Sequence, residues 1–456
     1  MRFVPDTPVN DASDDALGFR EFVDLIQRSI FNTETPFVYG ILGDWGIGKT
    51  SILRLLHTKI EDASPTPDGD VFVPIWFNAW EYENESNLIY PLLHAIRADY
   101  KTRVANPAEM RTFLQHFRDV AAASVLLSMD LGVQAVTKEL TGGALKFEDI
   151  TKQLEAIKKH TDTVETVLAE WTDTVGKIKT AFSELLDTYA IDLARGQAFA
   201  ANGVQFVILI DDLDRCLPET VIRVLENLKN HLTVSRCVFV LALNARIVYQ
   251  GISVKYGGAA VDGREYLEKF LNYSFYVPEP TPQSVRKFVQ DRIARLVPDA
   301  DQQAHYADYF RQFGAILEDS RFVNPRKIKR ILNRLLLFIA KYEQITTNAQ
   351  LRQFNLSEYP TPNLVRLITM AEYFPTLFQL FLYDPKKAEA ARKRLAFNAP
   401  DFDAAQFEHD FGVPITANLP QLAAVSRLFE LQEARDQTKP SLVEQAQAVY
   451  SITRLV

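Results

Sequence analysis

Short apolar runs and longer amphipathic stretches alternate along the first two-thirds of the chain. Continuous apolar runs lie at 37–42, 71–77, 205–210 and 237–243, with a shorter one at 274–277. Helical periodicity of three and four residues marks 16–30 before the first run, and 51–60, 87–103 and 218–232 between later runs. Short apolar runs are typical of strands that are buried on both faces of a parallel sheet. After residue 282 only helical patterns remain, so the pattern predicts a parallel α/β domain followed by an all-α region.

The segment 147–189 has the most sustained periodicity in the chain. Its repeating positions are Phe147, Ile150, Leu154, Ile157, Thr161, Val164, Leu168, Trp171, Val175, Ile178, Phe182, Leu185 and Tyr189. Spacing in steps of three and four is a heptad pattern, and it predicts a coiled-coil-like helix about 65 Å long.

This heptad helix needs a partner helix for its apolar seam. The partner is either a preceding helix at about 110–140 or another subunit. The bulky side chains of Trp171 and Phe182 favour an antiparallel partner within the chain over a tight parallel dimer. We expect the 147–189 helix to be a projecting arm that mediates assembly, as a homo-oligomer or with a protein partner.

Length suggests the number of domains. At about 100–200 residues per domain, 456 residues make two or three domains. We place an α/β core at 1–104 that resumes at 201–280. A helical insertion at 105–200 interrupts it, and an all-α lid and C-terminal helical domain follows at 281–456.

Charge and cysteine content narrow the partners and the compartment. The net charge of −8 argues against broad non-specific binding to nucleic acid, which needs a basic face, although a local basic groove is not excluded. Two cysteines in a chain of this length do not form a disulfide framework and fit a reducing cytoplasm. No apolar run reaches the ~18 residues of a membrane helix, and the first residues lack a secretory signal pattern. We therefore expect a cytoplasmic protein without membrane segments.

A glycine-rich turn follows the first predicted strand. It comprises Gly43, Asp44, Trp45, Gly46, Ile47, Gly48, Lys49 and Thr50, and Ser51 continues into the predicted helix. This is the complete G-x-x-x-x-G-K-[ST] pattern between a strand and a helix, and it predicts a P-loop. Its backbone N–H groups and the helix N-terminus bind phosphate. We expect Lys49 to neutralise the β- and γ-phosphates and Thr50 to place its hydroxyl on Mg²⁺.

Acidic residues follow the third predicted strand. Because the carboxyl ends of parallel strands face the ligand crevice, Asp211 is expected to hold Mg²⁺. Asp212 is expected to polarise the attacking water, with a solvated turn as the alternative. For Asp214 we favour a helix-capping role before Pro218. Asn244, which follows the fourth strand, either contacts the γ-phosphate or the attacking water, or simply ends the strand.

Three segments resemble one known family. Residues 75–83 contain Phe77, Asn78, Ala79 and Trp80, which resemble the FNAW hallmark of the KAP family of P-loop NTPases. Residues 211–216 resemble its Walker B signature, and residues 324–330 resemble its NPR-type motif. With the P-loop, these matches cover roughly 14–340. The resemblance implies an additional-strand ATPase core related to the STAND class, in which another strand separates the Walker B strand from the P-loop strand.

The resemblance also implies roles for residues outside the P-loop. Asn78 is implied to hold the catalytic carboxylate away until a partner engages. Arg326 is implied to be a lid arginine that reaches the γ-phosphate, with a solvated basic face as the alternative. Gly18 and Arg20 lie in a segment that resembles the adenine-binding loop of related ATPases. That loop, and the absence of a guanine-reading N-K-x-D motif, favour ATP over GTP.

The sequence supports two classes of function and, less strongly, a third. The first is a Mg²⁺-dependent ATPase that acts as a nucleotide-driven switch or assembly platform. The resemblance places it in bacterial antiphage or mobile-element conflict, together with partner proteins. The second is an ATP-bound scaffold with negligible turnover. A nucleic-acid-stimulated motor is the third, and the acidic charge and the lack of a basic run with interleaved aromatics argue against it.

Overall fold

The computed structural model describes residues 5–9, 15–83, 85, 88–104, 110–127, 164–255, 262–297, 300–319, 324–347, 361–396, 402–416, 422 and 442–454. The chain divides into two compact units. The core unit comprises Val9–Ala12 and Phe19–Val277, and the helical unit comprises Met1–Pro8, Ser13–Gly18 and Pro278–Val456. No helix among the described residues is long and apolar enough to cross a membrane.

A five-stranded sheet forms the centre of the core unit. Its strands are β1 (Phe37–Leu42), β2 (Val71–Asn78), β3 (Val204–Asp211), β4 (Cys237–Leu243) and β5 (Tyr273–Tyr276). The strand order is β2-β3-β4-β1-β5, and each neighbouring pair is parallel. Helices cover both faces, which is why every residue of β4 is buried. The parallel sheet predicted from the apolar runs is confirmed.

The sheet order places the acidic end of β3 near the P-loop. β4 lies between β3 and β1, so one strand separates the two chemistry-bearing strand ends. Neighbouring strands lie about 4.8 Å apart, so these ends are about 10 Å apart, and side chains can bridge that distance. This is the order that the KAP resemblance implies.

Eight helices of the described residues belong to the core unit. They are α1 (Arg20–Phe31), α2 (Lys49–Asp62), α3 (Ile89–Arg103), α4 (Met110–Leu127), α5 (Val164–Ala194), α6 (Pro218–Asn227), α7 (Ala245–Lys255) and α8 (Gly263–Phe270). A π-helical turn, Leu228–Leu232, extends α6. The P-loop joins β1 to α2, so the phosphate-binding turn lies at the N-terminus of a 14-residue helix.

The described part of the heptad segment lies on α5, and α5 packs antiparallel to α4. The Phe113 and Tyr189 ring centroids are 6.1 Å apart, and His116 Nδ1 lies 3.4 Å from Glu184 Oε2. The Tyr189 ring is also 4.9 Å from Phe206 of β3.

The buried seam of α5 is therefore part of the core of this unit. From Ile178 onward its heptad positions are buried in the same apolar cluster as the sheet, rather than in a free-standing arm. The aromatic residues of the seam gain more contact against β3 and α4 than a two-helix arm would offer. Residues 147–163 of the predicted arm lie outside the described residues.

The described elements of the helical unit are helices. They are α9 (Pro282–Leu296), α10 (Ala300–His305), α11 (Ala307–Asp319), α12 (Pro325–Thr347), α13 (Thr361–Tyr373), α14 (Pro375–Tyr383), α15 (Pro385–Ala396), α16 (Ala404–Phe411) and α17 (Leu442–Arg454). They bury their own apolar cluster, in which Phe313, Leu335 and Phe374 have almost no exposed surface. The strand signals therefore end where the core unit ends.

Candidate nucleotide-binding site

The P-loop follows β1 and depends on glycine at two turns. Gly46 has φ +83° and Gly48 has φ +117°, conformations that residues with a Cβ seldom adopt. A Cβ on Gly48 would also lie 2.9 Å from the Phe19 ring. Phe19 is buried and packs directly on the P-loop backbone, a contact that sequence reasoning missed. At the other end of the loop, the Gly43 N–H donates to the Leu243 carbonyl at the end of β4 (3.1 Å).

α2 begins immediately after this turn. Its N-cap is Gly48, which has no side chain to occupy the first helical N–H groups. The unpaired N–H groups and the helix dipole make such an end attractive to anions. Trp45 is largely exposed, Ile47 is buried, and the Ser51 hydroxyl accepts the Val9 N–H (3.1 Å).

Lys49 is buried and makes three contacts through its ammonium group. Nζ donates to the carbonyls of Gly43 (2.9 Å) and Asp44 (3.1 Å), and lies 2.7 Å from Asp214 Oδ2. The Lys49 and Asp214 side chains are only 5 % and 6 % exposed. Two of the three ammonium donors are thus used in hydrogen bonds, and Asp214 is paired with the same charge by distance, although its Oδ2 accepts no hydrogen bond among the described residues.

Asp214 therefore has a different partner from the one its sequence position suggested. α6 begins at Pro218 with Leu217 as its N-cap, and no side-chain hydrogen bond caps it. The Leu217 N–H donates instead to Glu83 Oε1 at 2.6 Å. The capping role favoured for Asp214 is wrong, because the carboxylate turns toward the buried ammonium of Lys49, where the electrostatic gain is larger.

Asp211 and Thr50 bring two oxygen atoms together between β3 and α2. The Thr50 hydroxyl donates to Asp211 Oδ1 (3.1 Å), and Asp211 is buried. Burial raises the pKa of Asp211 to about 6, and the neighbouring Asp212 carboxylate adds to this shift. A carboxylate in this environment is stabilised by a nearby cation.

This oxygen pair fits Mg²⁺ better than a metal with an all-protein ligand set. Mg²⁺ is usually held by one or two protein oxygens, with substrate phosphates and water completing its coordination. Among the described residues there is no cluster of three or more His, Cys, Asp or Glu that could hold a metal. Thr50 and Asp211 are the residues that would hold Mg²⁺ beside bound phosphates.

Asp212 lies at the turn that follows β3 and has a left-handed backbone (φ +55°). Its Oδ1 is 2.7 Å from Nε of Arg215, and its side chain is 14 % exposed. The Arg215 guanidinium in turn lies 5.1 Å from the centroid of the Trp80 ring. The carboxylate predicted to polarise water is thus held by an arginine that sequence reasoning did not select.

Asn78 ends β2, where it pairs in register with Asp211. Its Nδ2 donates to Glu81 Oε1 (2.9 Å), and its Oδ1 accepts the Trp80 N–H (3.1 Å). These contacts shape the turn after β2. Arg215 contacts the Asp212 side chain, and Asn78 contacts Glu81 and Trp80.

Asn244 lies between β4 and α7. Its Oδ1 accepts the Arg246 N–H (3.0 Å), and its carbonyl accepts from Ile247 (3.1 Å) and Val248 (3.3 Å). Asn244 therefore caps α7, which accounts for an asparagine at this strand end without a nucleotide contact.

The other residues suggested by the resemblance are divided between the two units. Arg20 is an exposed residue of α1 in the core unit. Gly18 (φ +79°) belongs to the helical unit, and so does Arg326. Arg326 Nε contacts Asp6 Oδ2 at 2.5 Å within that unit, and Lys329 Nζ lies 3.7 Å from Asp6 Oδ1.

The sheet order, the glycine-dependent loop and the Lys49, Thr50 and Asp211 constellation define a P-loop NTPase. The model of the KAP family P-loop domain matches residues 19–342. The chain belongs to the KAP family of P-loop NTPases, and nucleotide binding follows from that membership. The family predicted from the motifs is confirmed.

Two further comparisons give individual relatives. A "Phage T7 exclusion protein" from Escherichia coli (strain K12) is 23 % identical over 351 residues, which cover 73 % of this chain and 42 % of the relative. The chain thus spans about two-fifths of the length of that curated relative. The Aeropyrum pernix ORC2 protein, solved as ADPNP–ADP complexes, aligns at 13 % identity over 100 % of this chain and 96 % of that one, with a TM-score of only 0.35. A likeness this weak carries no argument.

Proposed function

We propose that this protein is a Mg²⁺-dependent ATPase and that it uses the nucleotide as a switch. The observation that carries the proposal is the convergence of Lys49, Thr50, Asp211 and Asp212 at the ends of β1 and β3. The P-loop backbone and Lys49 bind the phosphates, and Thr50 and Asp211 would hold Mg²⁺, which would supply neutralisation of charge on the transferred phosphoryl group when bound. Asp212 orients the attacking water and accepts its proton.

We expect nucleotide binding to rearrange the site. Lys49 Nζ already contacts two carbonyls and the Asp214 carboxylate, and an incoming phosphate competes most directly with Asp214, the anion among these three groups. Release of Asp214 frees the turn Leu213–Arg215, which also carries Arg215. In this proposal ATP binding is therefore coupled to the turn that holds Asp212.

A phage-exclusion relative supports a role in conflict with phage. We place the ATPase there as an assembly platform, as a homo-oligomer or with a protein partner. Residues 147–189 are the proposed assembly element, through the part that precedes the buried seam of α5.

The same contacts favour one rival. Lys49 is paired with Asp214, and Asp212 is paired with Arg215, so both chemistry-bearing groups have an internal counter-charge. A scaffold that binds ATP without turnover would have no need to break either pair.

Steady-state phosphate release separates the two functions. We expect Asp212→Asn to bind Mg-ATP like the unaltered protein and to turn over about 10²-fold more slowly, which is the usual scale of general-base loss. Asp119→Asn is the matched control, because it makes the same chemical change at an exposed position of α4 and should leave the rate unchanged. If the unaltered protein binds ATP but releases no phosphate above background, the scaffold replaces the ATPase. Equal and measurable rates in both proteins would instead refute the role of Asp212.

A further inference from the structure

Asp212 has a backbone conformation that needs local support. Among the described residues, only Asp212 and Arg236 have positive φ without being glycine. Such a conformation is strained and persists only where its surroundings over-determine it. Arg236 has six hydrogen bonds of its own: its N–H donates to Thr35, its carbonyl accepts from the Phe206 N–H, and its guanidinium donates to the Asp187 carboxylate and to the carbonyls of Ala201, Asn202 and Val204.

Arg215 gives Asp212 two contacts of this kind. The Arg215 N–H donates to the Asp212 carbonyl (3.1 Å), and its Nε is 2.7 Å from Asp212 Oδ1. The first contact holds the backbone and the second holds the side chain. An ion pair at 2.7 Å restricts the positions that the carboxylate can occupy.

Trp80 restricts the movement of the Arg215 guanidinium. The indole lies under the guanidinium, with 5.1 Å between Cζ and the ring centroid. Trp80 is itself anchored to β2, because its N–H donates to Asn78 Oδ1, and the Ala79 N–H donates to the Asp211 carbonyl (3.1 Å). A cation held between a carboxylate and an aromatic face has little freedom to move.

We propose that Arg215 is a positioning residue for hydrolysis, held by Trp80, that aims the Asp212 carboxylate at the attacking water. The inference rests on the proposed function, since it needs Asp212 to act on water. Arg215 itself is engaged with Asp212 and Trp80, so it acts through Asp212 and not by contact with the nucleotide. Small errors in the direction of a base reduce the rate steeply, because the catalytic geometry has narrow tolerance.

Kinetics of four variants test this chain of contacts. Arg215→Ala should lower kcat by roughly 10- to 100-fold and leave KM and the Kd for Mg-ATP within about threefold, since only the aim of the base is lost. Trp80→Leu should lower kcat by less, roughly 3- to 10-fold, because the ion pair remains. Trp80→Phe keeps an aromatic face and should restore most of the rate. Arg97→Ala, which removes another arginine stacked on a ring, is the matched control and should not change kcat.

A double-mutant cycle separates positioning from a general effect on the fold. If Arg215 acts through Asp212, the variant Asp212→Asn/Arg215→Ala should be no slower than Asp212→Asn alone. Multiplied losses would overturn the proposal, and so would a higher kcat in Arg215→Ala, which would mean that the arginine restrains Asp212. Where Arg215→Ala does not fold, Trp80→Leu takes its place in the same cycle.

The cycle also keeps this inference apart from the proposed function. A normal rate in Asp212→Asn would refute the role of Asp212 and the proposed chemistry with it. A slow Asp212→Asn beside a normal Arg215→Ala would refute only the positioning role.

Discussion

Two groups of buried and half-buried acids in the core unit are built differently. At the insertion root, where α5 joins the core, Tyr189 donates to Asp99 (2.7 Å) and Tyr100 donates to Asp192 (2.9 Å). Arg103 Nε also contacts both Asp99 oxygens, at 3.0 and 3.1 Å. At the nucleotide site the acids lie instead at the end of β3, and their partners are Thr50, Arg215 and Lys49.

The two groups differ in whether the partners of the acids can also bind a ligand. Burial raises the pKa of Tyr189 far above its ordinary value, so this phenol remains a neutral donor at any physiological pH. Lys49 and Thr50, in contrast, are the groups that phosphate and Mg²⁺ would engage, and Asp211 has a pKa raised to about 6. We therefore expect the contacts of the insertion root to persist when nucleotide binds, and the contacts of the nucleotide site to be replaced in part.

The largest expected effect is that of Lys49→Ala. Loss of the ammonium removes charge-assisted phosphate contacts worth about 1.5–3 kcal/mol each, so affinity for ATP should fall at least tenfold. It also leaves the Asp214 carboxylate buried without a cation, which should lower the free energy of unfolding by about 3–5 kcal/mol in the absence of nucleotide. Calorimetry measures the affinity, and denaturant unfolding measures the stability.

Two variants sharpen this result. Lys49→Ala/Asp214→Ala removes the stranded carboxylate as well, so it should regain most of the lost stability without regaining affinity. Lys59 lies on the same helix as Lys49 and pairs with Asp24 of α1, and both side chains are about a third exposed. Lys59→Ala should therefore lower the free energy of unfolding by less than about 1 kcal/mol. Equal losses for Lys49→Ala and the double variant would show that Lys49 and Asp214 do not depend on each other.

The next effect concerns Asp211 and pH. Its pKa is raised from 3.8 to about 6, so folding disfavours its charged form. The resulting cost is absent below pH 3.8 and is complete above about pH 6, where it reaches about 3 kcal/mol. Asp211→Asn removes this cost but can still accept the Thr50 hydrogen bond.

We therefore expect Asp211→Asn to be more stable than the unaltered protein at pH 8 without nucleotide. The gain should be up to about 3 kcal/mol and should shrink toward zero as the pH falls to about 4. The same variant should lose the added stability that Mg-ATP gives the unaltered protein. A pH series of denaturant unfolding measures both. A lower stability of Asp211→Asn than of the unaltered protein at pH 8 would mean that burial does not destabilise the charged carboxylate.

The smallest effect is expected at the insertion root. Tyr189→Phe removes one hydroxyl while Asp99 keeps Arg103, so the free energy of unfolding should fall by about 1–2 kcal/mol. Affinity for ATP should not change, because no partner of Tyr189 belongs to the nucleotide site. Thermal unfolding and nucleotide titration together check this. A tenfold change in ATP affinity would remove the distinction between a permanent and an exchangeable cluster.

Local sequence determined the elements and the phosphate-binding loop. Apolar runs located all five strands within a residue or so, because burial on both faces of a parallel sheet demands continuous hydrophobicity. The P-loop was recognisable because its residues are contiguous and its glycines are required by backbone conformation. The position of Asp211 at the end of β3 could be predicted because the carboxyl end of a parallel strand faces the ligand crevice, and its role as a Mg²⁺ ligand stays a prediction.

The heptad segment shows what periodicity can and cannot predict. The spacing identifies which face of α5 is buried, but it carries no information about what covers that face. The structure covers Ile178, Phe182 and Tyr189 with α4 and the sheet, where a projecting arm was expected.

Tertiary structure decided which distant residues the turn after β3 contacts. Asp214 and Arg215 are neighbours in sequence, yet one turns to Lys49 of α2 and the other to Asp212 and Trp80. The strand order β2-β3-β4-β1-β5 brings Lys49 and Trp80 to this turn from distant parts of the chain, whereas Asp212 and Arg215 pair within the turn itself. A sequence states which charges exist, but burial and distance set the energy of each pair, and both quantities exist only once the sheet has formed.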